Sequence, residues 1–393
     1  MKTADSENII TGIETALVHL GRESAEITNS VNPPLVRAST TVFRTLSEFK
    51  NSYKGVVFES PRYGRSGTST NFELQAAMAR ISNAETCIAT SSGLSAIAAV
   101  ISAHASQGSH ILVQRNVYGP TKALCDNSLN MIGSRVEYFD NAVDLETMIN
   151  EATTLIFIEV PASLTMDMID VRAVCLTAKK RNIPVACDGT WGTPVFFDAH
   201  ALGVDISIHA ATKYINGHSD LMMGLVTGSY DALASTRVWC DRFGSHASAD
   251  ACWLVLRGLR TLAVRMKQHH ENAREVANFL CELPAIKKVM FPALPPDPGH
   301  SLWKSQFTGA PGPFTVELKN CNETSFELFI NSLKLFGLGT SWGGFESLVM
   351  PAVPHHLRSL AVLPDEGRLV RLHIGLESPR DLCNDLERAL AHL

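Results

Sequence analysis

The sequence predicts an α/β protein with a large domain built on a mostly parallel sheet and a smaller C-terminal α/β domain. Three observations carry that reading. Between about residues 85 and 230, short apolar runs alternate with longer amphipathic ones, the pattern of strands covered by helices on both faces. The chain has 393 residues, too many for one ordinary core, so length alone suggests two or three domains. Hydrophobic residues make up 45% and charged residues 19%, with a net charge of -5, which allows a large interior and gives no basic field for nucleic acid.

The expected strands lie at 111–113, 136–139, 155–158, 183–187, 204–208 and 225–227. The run 96–103 reads as a helix entered through Thr90-Ser91-Ser92-Gly93-Leu94-Ser95. Its exposed N–H groups and positive dipole end suit a phosphate, although the same residues also serve as a plain N-cap. The first sixty residues, with Asn32-Pro33-Pro34 and little periodicity, read as an extended arm. The character changes near Arg257: a helical run at 261–283 precedes the Pro-rich loop 292–298, and strands follow at 314–318 and 369–374. The expected division is an arm over 1–62, a large domain over 63–257 and a small domain over 258–393. No internal repeat or low-complexity tract interrupts it.

Nine cysteines are scattered without any Cys-x-x-Cys, which points to reduced, packed thiols rather than a disulfide framework, and no metal site is expected. A polar N-terminus and the lack of a membrane-length apolar run suggest a cytoplasmic protein without a membrane partner.

The chemistry centres on Lys213, twenty-five residues after Asp188, which closes an apolar strand-like run. A lysine amine can form a Schiff base with the aldehyde of pyridoxal phosphate (PLP), while a carboxylate keeps the cofactor's ring nitrogen protonated so that the ring accepts carbanion electrons. Both residues follow expected strands, and the carboxyl ends of parallel strands are where such sheets bind ligands.

The stretch Asp188-Gly189-Thr190-Trp191, the run Ala211-Thr212-Lys213-Tyr214, Gly217-His218-Ser219-Asp220 and Ser341-Trp342-Gly343-Gly344 together resemble the Cys/Met metabolism family of PLP-dependent enzymes, and within it the bacterial cystathionine beta-lyases. Gly258-Leu259-Arg260-Thr261-Leu262 and Arg371-Leu372-His373-Ile374-Gly375 continue the match in family order. The resemblance implies the aspartate aminotransferase-like fold (fold type I) of PLP-dependent transferases, PLP as cofactor, and a lyase acting on an amino-acid substrate.

It also implies roles for individual residues. Lys213 holds the cofactor and removes the α proton, and Asp188 faces the ring nitrogen. Gly93 and Leu94 offer amides to the phosphate, Thr212 a hydroxyl, and Tyr118 stacks on the ring. Tyr63 and Arg65 reach the same phosphate from a neighbouring subunit, which implies a homo-oligomer, a tetramer made of two active dimers. Tyr63 and Tyr118 join Lys213 as catalytic candidates. Arg371 binds the substrate α-carboxylate, with Ser341 and Trp342 beside it. His373 and the pair His269-His270 are expected to be packing residues.

Four positions depart from the family pattern: Ala210 for serine, Gly189 for asparagine, Ser66 for a second arginine, and Asp241 in a stretch that tends to carry an aromatic residue. Trp342 and Thr68, with Thr340, favour β-elimination of cystathionine or a related sulfur amino acid to pyruvate, ammonia and a thiol. Ser66 and Asp241 keep open γ-elimination from another substrate, such as canavanine or a methionine- or homocysteine-type amino acid.

Overall fold

A computed structural model describes residues 12–25, 29–319, 321–352 and 368–393. The N-terminal segment is not wholly extended, as its weak periodicity suggested. Helix α1 (Ile13–His19) docks Ala16 and Leu17 against Leu74 and Met78. Its C-terminal carbonyls are gathered by Arg260, whose Nη1 donates to Leu20 O at 2.6 Å and Leu17 O at 3.0 Å. Helix α2 (Leu46–Ser52) starts where the Thr45 side chain accepts the Glu48 N–H, and none of its residues is buried. Both helices are too short to display a full amphipathic period, and local caps start or end them. Helix α3 (Ser69–Ile81) opens on a reciprocal capping box between Thr68 and Asn71.

The large sheet contains β1 (Thr86–Thr90), β2 (His110–Gln114), β3 (Arg135–Phe139), β4 (Thr153–Glu159), β5 (Val185–Asp188), β6 (Ile206–Ala210) and β7 (Gly224–Gly228), in the order β1-β7-β6-β5-β4-β2-β3. The strands from β2 to β6 are parallel, whereas β7 runs antiparallel to both β6 and β1. The sheet is thus mostly parallel, as expected, and the exception has a physical reason. A parallel return needs a long crossover, usually a helix, and residues 211–223 are spent instead on the turn that carries Lys213. Strand β1, with small Cys87 and Ala89 among threonines, was not anticipated.

Helix α4 (Gly93–Ala103) lies on one face of this sheet and buries Ile97, Val100 and Ile101 against Ile111, Phe157, Ile208 and Val226. Each such aliphatic side chain contributes about 1.5–3 kcal/mol by leaving water. Helix α5 (Leu262–Glu282) leads into the second sheet: β8 (Ile286–Met290), β9 (Phe314–Leu318), β10 (Gly337–Leu338), β11 (Leu348–Ala352) and β12 (Arg368–His373), ordered β10-β11-β12-β9-β8. Every pair in it except β10–β11 is antiparallel. One apolar cluster joins Ile156, Ile158 and Cys187 of the large sheet to Ala273 and Val276 of α5 and to Phe314, Val370 and Leu372 of the second sheet. That shared core holds β12 against the carboxyl end of β5.

Burial lowers the proton affinity of Arg260, and its charge is compensated chiefly by the α1 carbonyls. Arg260→Met should leave those acceptors unpaired, costing about 1–3 kcal/mol. Thermal unfolding should show the loss, and hydrogen exchange should rise first in residues 13–20.

Candidate active site

Asp188 is the last residue of β5 and pairs in register with Ile208 of β6, two residues before that strand ends at Ala210. The chain then turns through Lys213, whose N–H donates to Ala210 O and whose carbonyl accepts from Gly217. Arg265 of α5 clamps this turn from below, donating to Tyr214 O at 2.6 Å, Ile215 O at 3.3 Å and Gly258 O at 2.9 Å. From the second sheet's side, Gly343 closes on the turn with φ of +84°. A Cβ there would lie 2.8 Å from Tyr214 N and 2.9 Å from Lys213 Cβ, so only glycine lets the Ser341–Gly344 loop come this near.

The approach brings the expected residues together. Lys213 Nζ donates to Ser341 Oγ at 2.8 Å and sits 5.2 Å from the centre of the Trp342 ring. Arg371 on β12 donates through Nη2 to Thr340 O at 2.6 Å and Ser341 O at 3.0 Å. It is buried, and it has no carboxylate partner among the described residues. A desolvated guanidinium held only by carbonyls retains its capacity for an anion. Burial lowers Lys213 to about 8, helped by the nearby Arg371 charge and opposed by Asp188. Arg371 itself falls to about 10 through burial.

Asp188 is buried, and burial raises its carboxyl above the ordinary range. Two hydrogen bonds from Thr190, one from its N–H and one from its hydroxyl, pull in the opposite direction, as does Lys213. Glu159 ends β4 in register with Asp188 and accepts the Tyr118 N–H at 2.6 Å. Burial and the Asp188 charge hold the Glu159 carboxyl well above its usual range. Tyr118 remains protonated through neutral pH, its hydroxyl raised by burial and by Glu159. Glu159 and Arg265 carried no distinguishing motif signal, and Thr190, although inside a matching stretch, was given no role. Only the fold shows that they support Asp188, Tyr118 and Lys213.

The turn that opens α4 lies against the end of β6. Ser92 caps α4 by accepting the Ser95 N–H at 3.0 Å. A Cβ on Gly93 would fall 2.6 Å from the Ala210 Cβ, so Ala210 abuts the turn. The departure at Gly189 has a packing counterpart: a Cβ there would meet His209 Cε1 and a Phe197 ring carbon, both at 3.2 Å. Leu94 is partly exposed, and the Thr212 hydroxyl accepts the Met223 N–H at 3.0 Å.

Tyr63 and Arg65 form no hydrogen bond or ion pair with Lys213, Asp188 or Arg371 of their own chain. Tyr63 is 53% exposed, and Arg65 donates to Asp241 Oδ1 and Asp241 O, each at 2.7 Å. Ser66 is buried in its own chain. His269 and His373 flank the Tyr214 ring. His269 bonds to Ile374 O, and burial lowers the two imidazoles to about 4 and about 3, respectively, in keeping with a packing role.

A lysine with lowered proton affinity, a buried carboxylate one strand away and an arginine with no carboxylate partner among the described residues define a PLP-type site. The donor set fits the cofactor: an amine, a carboxylate with one oxygen free of hydrogen bonds from the described residues, and a small-residue turn opening a helix. The chain belongs to the family of Cys/Met metabolism PLP-dependent enzymes, whose model matches residues 14–391. Its cofactor is PLP.

Similar proteins include a cystathionine beta-lyase of Bordetella avium, 40% identical over 386 residues, covering 96% of this chain and 97% of that protein. Cystathionine beta-lyase MetC of Escherichia coli K12 is 35% identical, covering 97% of this chain and 98% of its own. An L-alanine/L-glutamate racemase of Wolbachia pipientis wMel is 36% identical, covering 97% of both. The crystal structure of metB from Corynebacterium glutamicum superposes with a TM-score of 0.89 at 30% identity, covering 98% of both chains. No helix among the described residues is long and apolar enough to cross a membrane.

In the cofactor-free full chain, labelling of Lys213 by an amine-selective reagent should have its midpoint near pH 8, against about 10.4 for an ordinary lysine. Arg371→Met removes a charge that disfavours the ammonium form. The midpoint should therefore move upward, as mass spectrometry of the labelled peptide across pH would show.

Proposed function

We propose that this chain is a PLP-dependent carbon–sulfur lyase that eliminates at the β carbon of cystathionine or a related sulfur amino acid, releasing pyruvate, ammonia and a thiol. The carrying observation is the meeting of Lys213 with Ser341 and Trp342 beside an Arg371 that lacks a carboxylate partner among the described residues. Lys213 would hold PLP covalently through its amine. Gly93, Leu94 and Thr212, together with Tyr63 and Arg65 of a second copy, would hold the phosphate. When bound, PLP supplies an electron sink for the pair left at the substrate α carbon.

The chain's own residues do the rest. Arg371 takes the α-carboxylate in a bidentate grip, which orients the α C–H bond. Lys213, lowered to about 8, is partly neutral near pH 7–8 and takes the α proton; Ser341, within hydrogen-bond distance, steadies the amine. Asp188 would hold the proton on the cofactor's ring nitrogen. Tyr118, near enough to feel the Asp188 and Arg371 charges, would stack on the cofactor ring.

The γ-eliminating alternative drew on Ser66 and Asp241 near the far end of the pocket. Asp241 pairs with Arg65 of its own chain, which offsets part of the acidic charge that the alternative used. A homo-oligomer, a tetramer of two active dimers, is supported by apolar side chains left exposed on one chain near Tyr63: Val42, Leu46, Phe49 and Tyr53. The division proposed is an arm over 1–62, a PLP-binding domain over 63–257 and a small domain over 258–393, and the presence of two separate sheets supports it. Nine free cysteines suit the cytoplasm.

Supplied with cystathionine, the protein should yield pyruvate; a 2-oxobutyrate product would show γ-elimination, and D-amino acid without keto acid would show racemisation instead. Lys213→Ala should lower turnover by about a thousandfold or more. Mixing inactive Lys213→Ala with inactive Arg65→Ala subunits should restore part of the activity, because hybrid dimers contain one intact site. No rescue, despite demonstrated subunit exchange, would place both residues in one chain's site.

A further inference from the structure

The two oxygens of the Asp188 carboxylate are not equivalent. Oδ1 accepts the Thr190 N–H at 2.9 Å and the Thr190 hydroxyl at 2.5 Å, while Oδ2 receives no hydrogen bond from the described residues. The Thr190 oxygen itself accepts the Ala210 N–H at 2.8 Å. A hydroxyl has a single hydrogen to give. With an N–H already aimed at its oxygen, that hydrogen goes to the carboxylate. Thr190 therefore ties the end of β5 to the end of β6, and the bond's direction is set by the sheet.

We infer that Thr190 is the positioning residue for Asp188: it occupies Oδ1 from the protein side and leaves Oδ2 as the oxygen available to the cofactor's ring nitrogen. This rests on reading Asp188 as the partner of that nitrogen. The surroundings make such a device necessary. Glu159 stands beside Asp188 on β4, Cys187 precedes it in a fully buried strand, and Tyr118 lies near with its hydroxyl protonated. Burial favours a neutral Asp188, and a neutral carboxyl could not stabilise a protonated ring nitrogen. The two Thr190 hydrogen bonds act the other way, ahead of the smaller effect of Lys213. Thr190 is then the main support for the charged form among the described residues. The valine side chain keeps threonine's shape and the residue's N–H but removes the hydroxyl; serine keeps the hydroxyl.

The test compares two ligands binding to the cofactor-free full chain by equilibrium dialysis: PLP and its carbocyclic analogue in which the ring nitrogen is replaced by C–H. The unmodified protein should prefer PLP, and Asp188→Asn should abolish the preference. Thr190→Val should shrink it by about tenfold, as expected for one lost hydrogen bond to a charged group. Thr190→Ser should stay within about threefold of the unmodified protein. A purely structural role would weaken both ligands together and leave their ratio unchanged in Thr190→Val, which overturns the inference. Should the valine protein fail to fold, Thr190→Ala serves for the same ratio. An unchanged ratio in Asp188→Asn would instead sink the reading of Asp188, and the inference with it.

Discussion

Everything at the cleft depends on the parallel pairing of β5 with β6. A parallel pair delivers both carboxyl ends to the same edge of the sheet. Asp188 and the turn that carries Lys213 therefore meet although twenty-five positions separate them in sequence. The next strand then has to enter antiparallel, because the connection after β6 is used to shape the lysine turn rather than to build a crossover helix. Arg265 and Gly343 press on that turn from opposite sides, one with a buried charge on its carbonyls, the other with the absence of a side chain.

The cleft is a place where charges are kept short of partners. Lys213, Arg371, Asp188 and Glu159 are all perturbed by desolvation first; Lys213 then feels Arg371, Glu159 feels Asp188, Asp188 feels Thr190, and Arg371 feels Tyr118 and Tyr214. Groups in that condition respond strongly to an arriving charge, because little solvent screens them. An amino acid brings a carboxylate and an amine, and a phosphorylated cofactor brings a further anion. The apolar cluster running from β4 and β5 through α5 into the second sheet resists the relaxation that would otherwise let these groups find one another.

Much of this could be read in the sequence, for identifiable reasons. Strand 314–318 was placed to the residue, since it is a short, bounded run, and strands flanking Asp188 and Lys213 were displaced by only one or two positions. Lys213, Ser341, Trp342 and Arg371 were found through motifs and do converge. Glu159 and Arg265 were not, and Thr190 was quoted without a role, because their bonds to Tyr118, to the Tyr214 turn and to Ala210 join separate elements and a single sequence carries no trace of such pairing. Strand β1 escaped because its small side chains resemble a loop, and the two arm helices because each spans only seven residues. Asp241 only kept a second substrate reading open; its bond to Arg65 joins residues 176 positions apart, a pairing no local pattern could reveal.

Helix α2 carries a consequence for how the protein persists in solution. Seven residues are too few to stay helical on local bonds alone, and α2 buries nothing against its own chain while Phe43, Phe49 and Tyr53 meet edge to face on its surface. If a second copy covers that aromatic row, part of the fold is maintained by mass action. The stability of the arm, and of the Tyr63–Arg65 turn that follows it, then rises with protein concentration and fades on dilution.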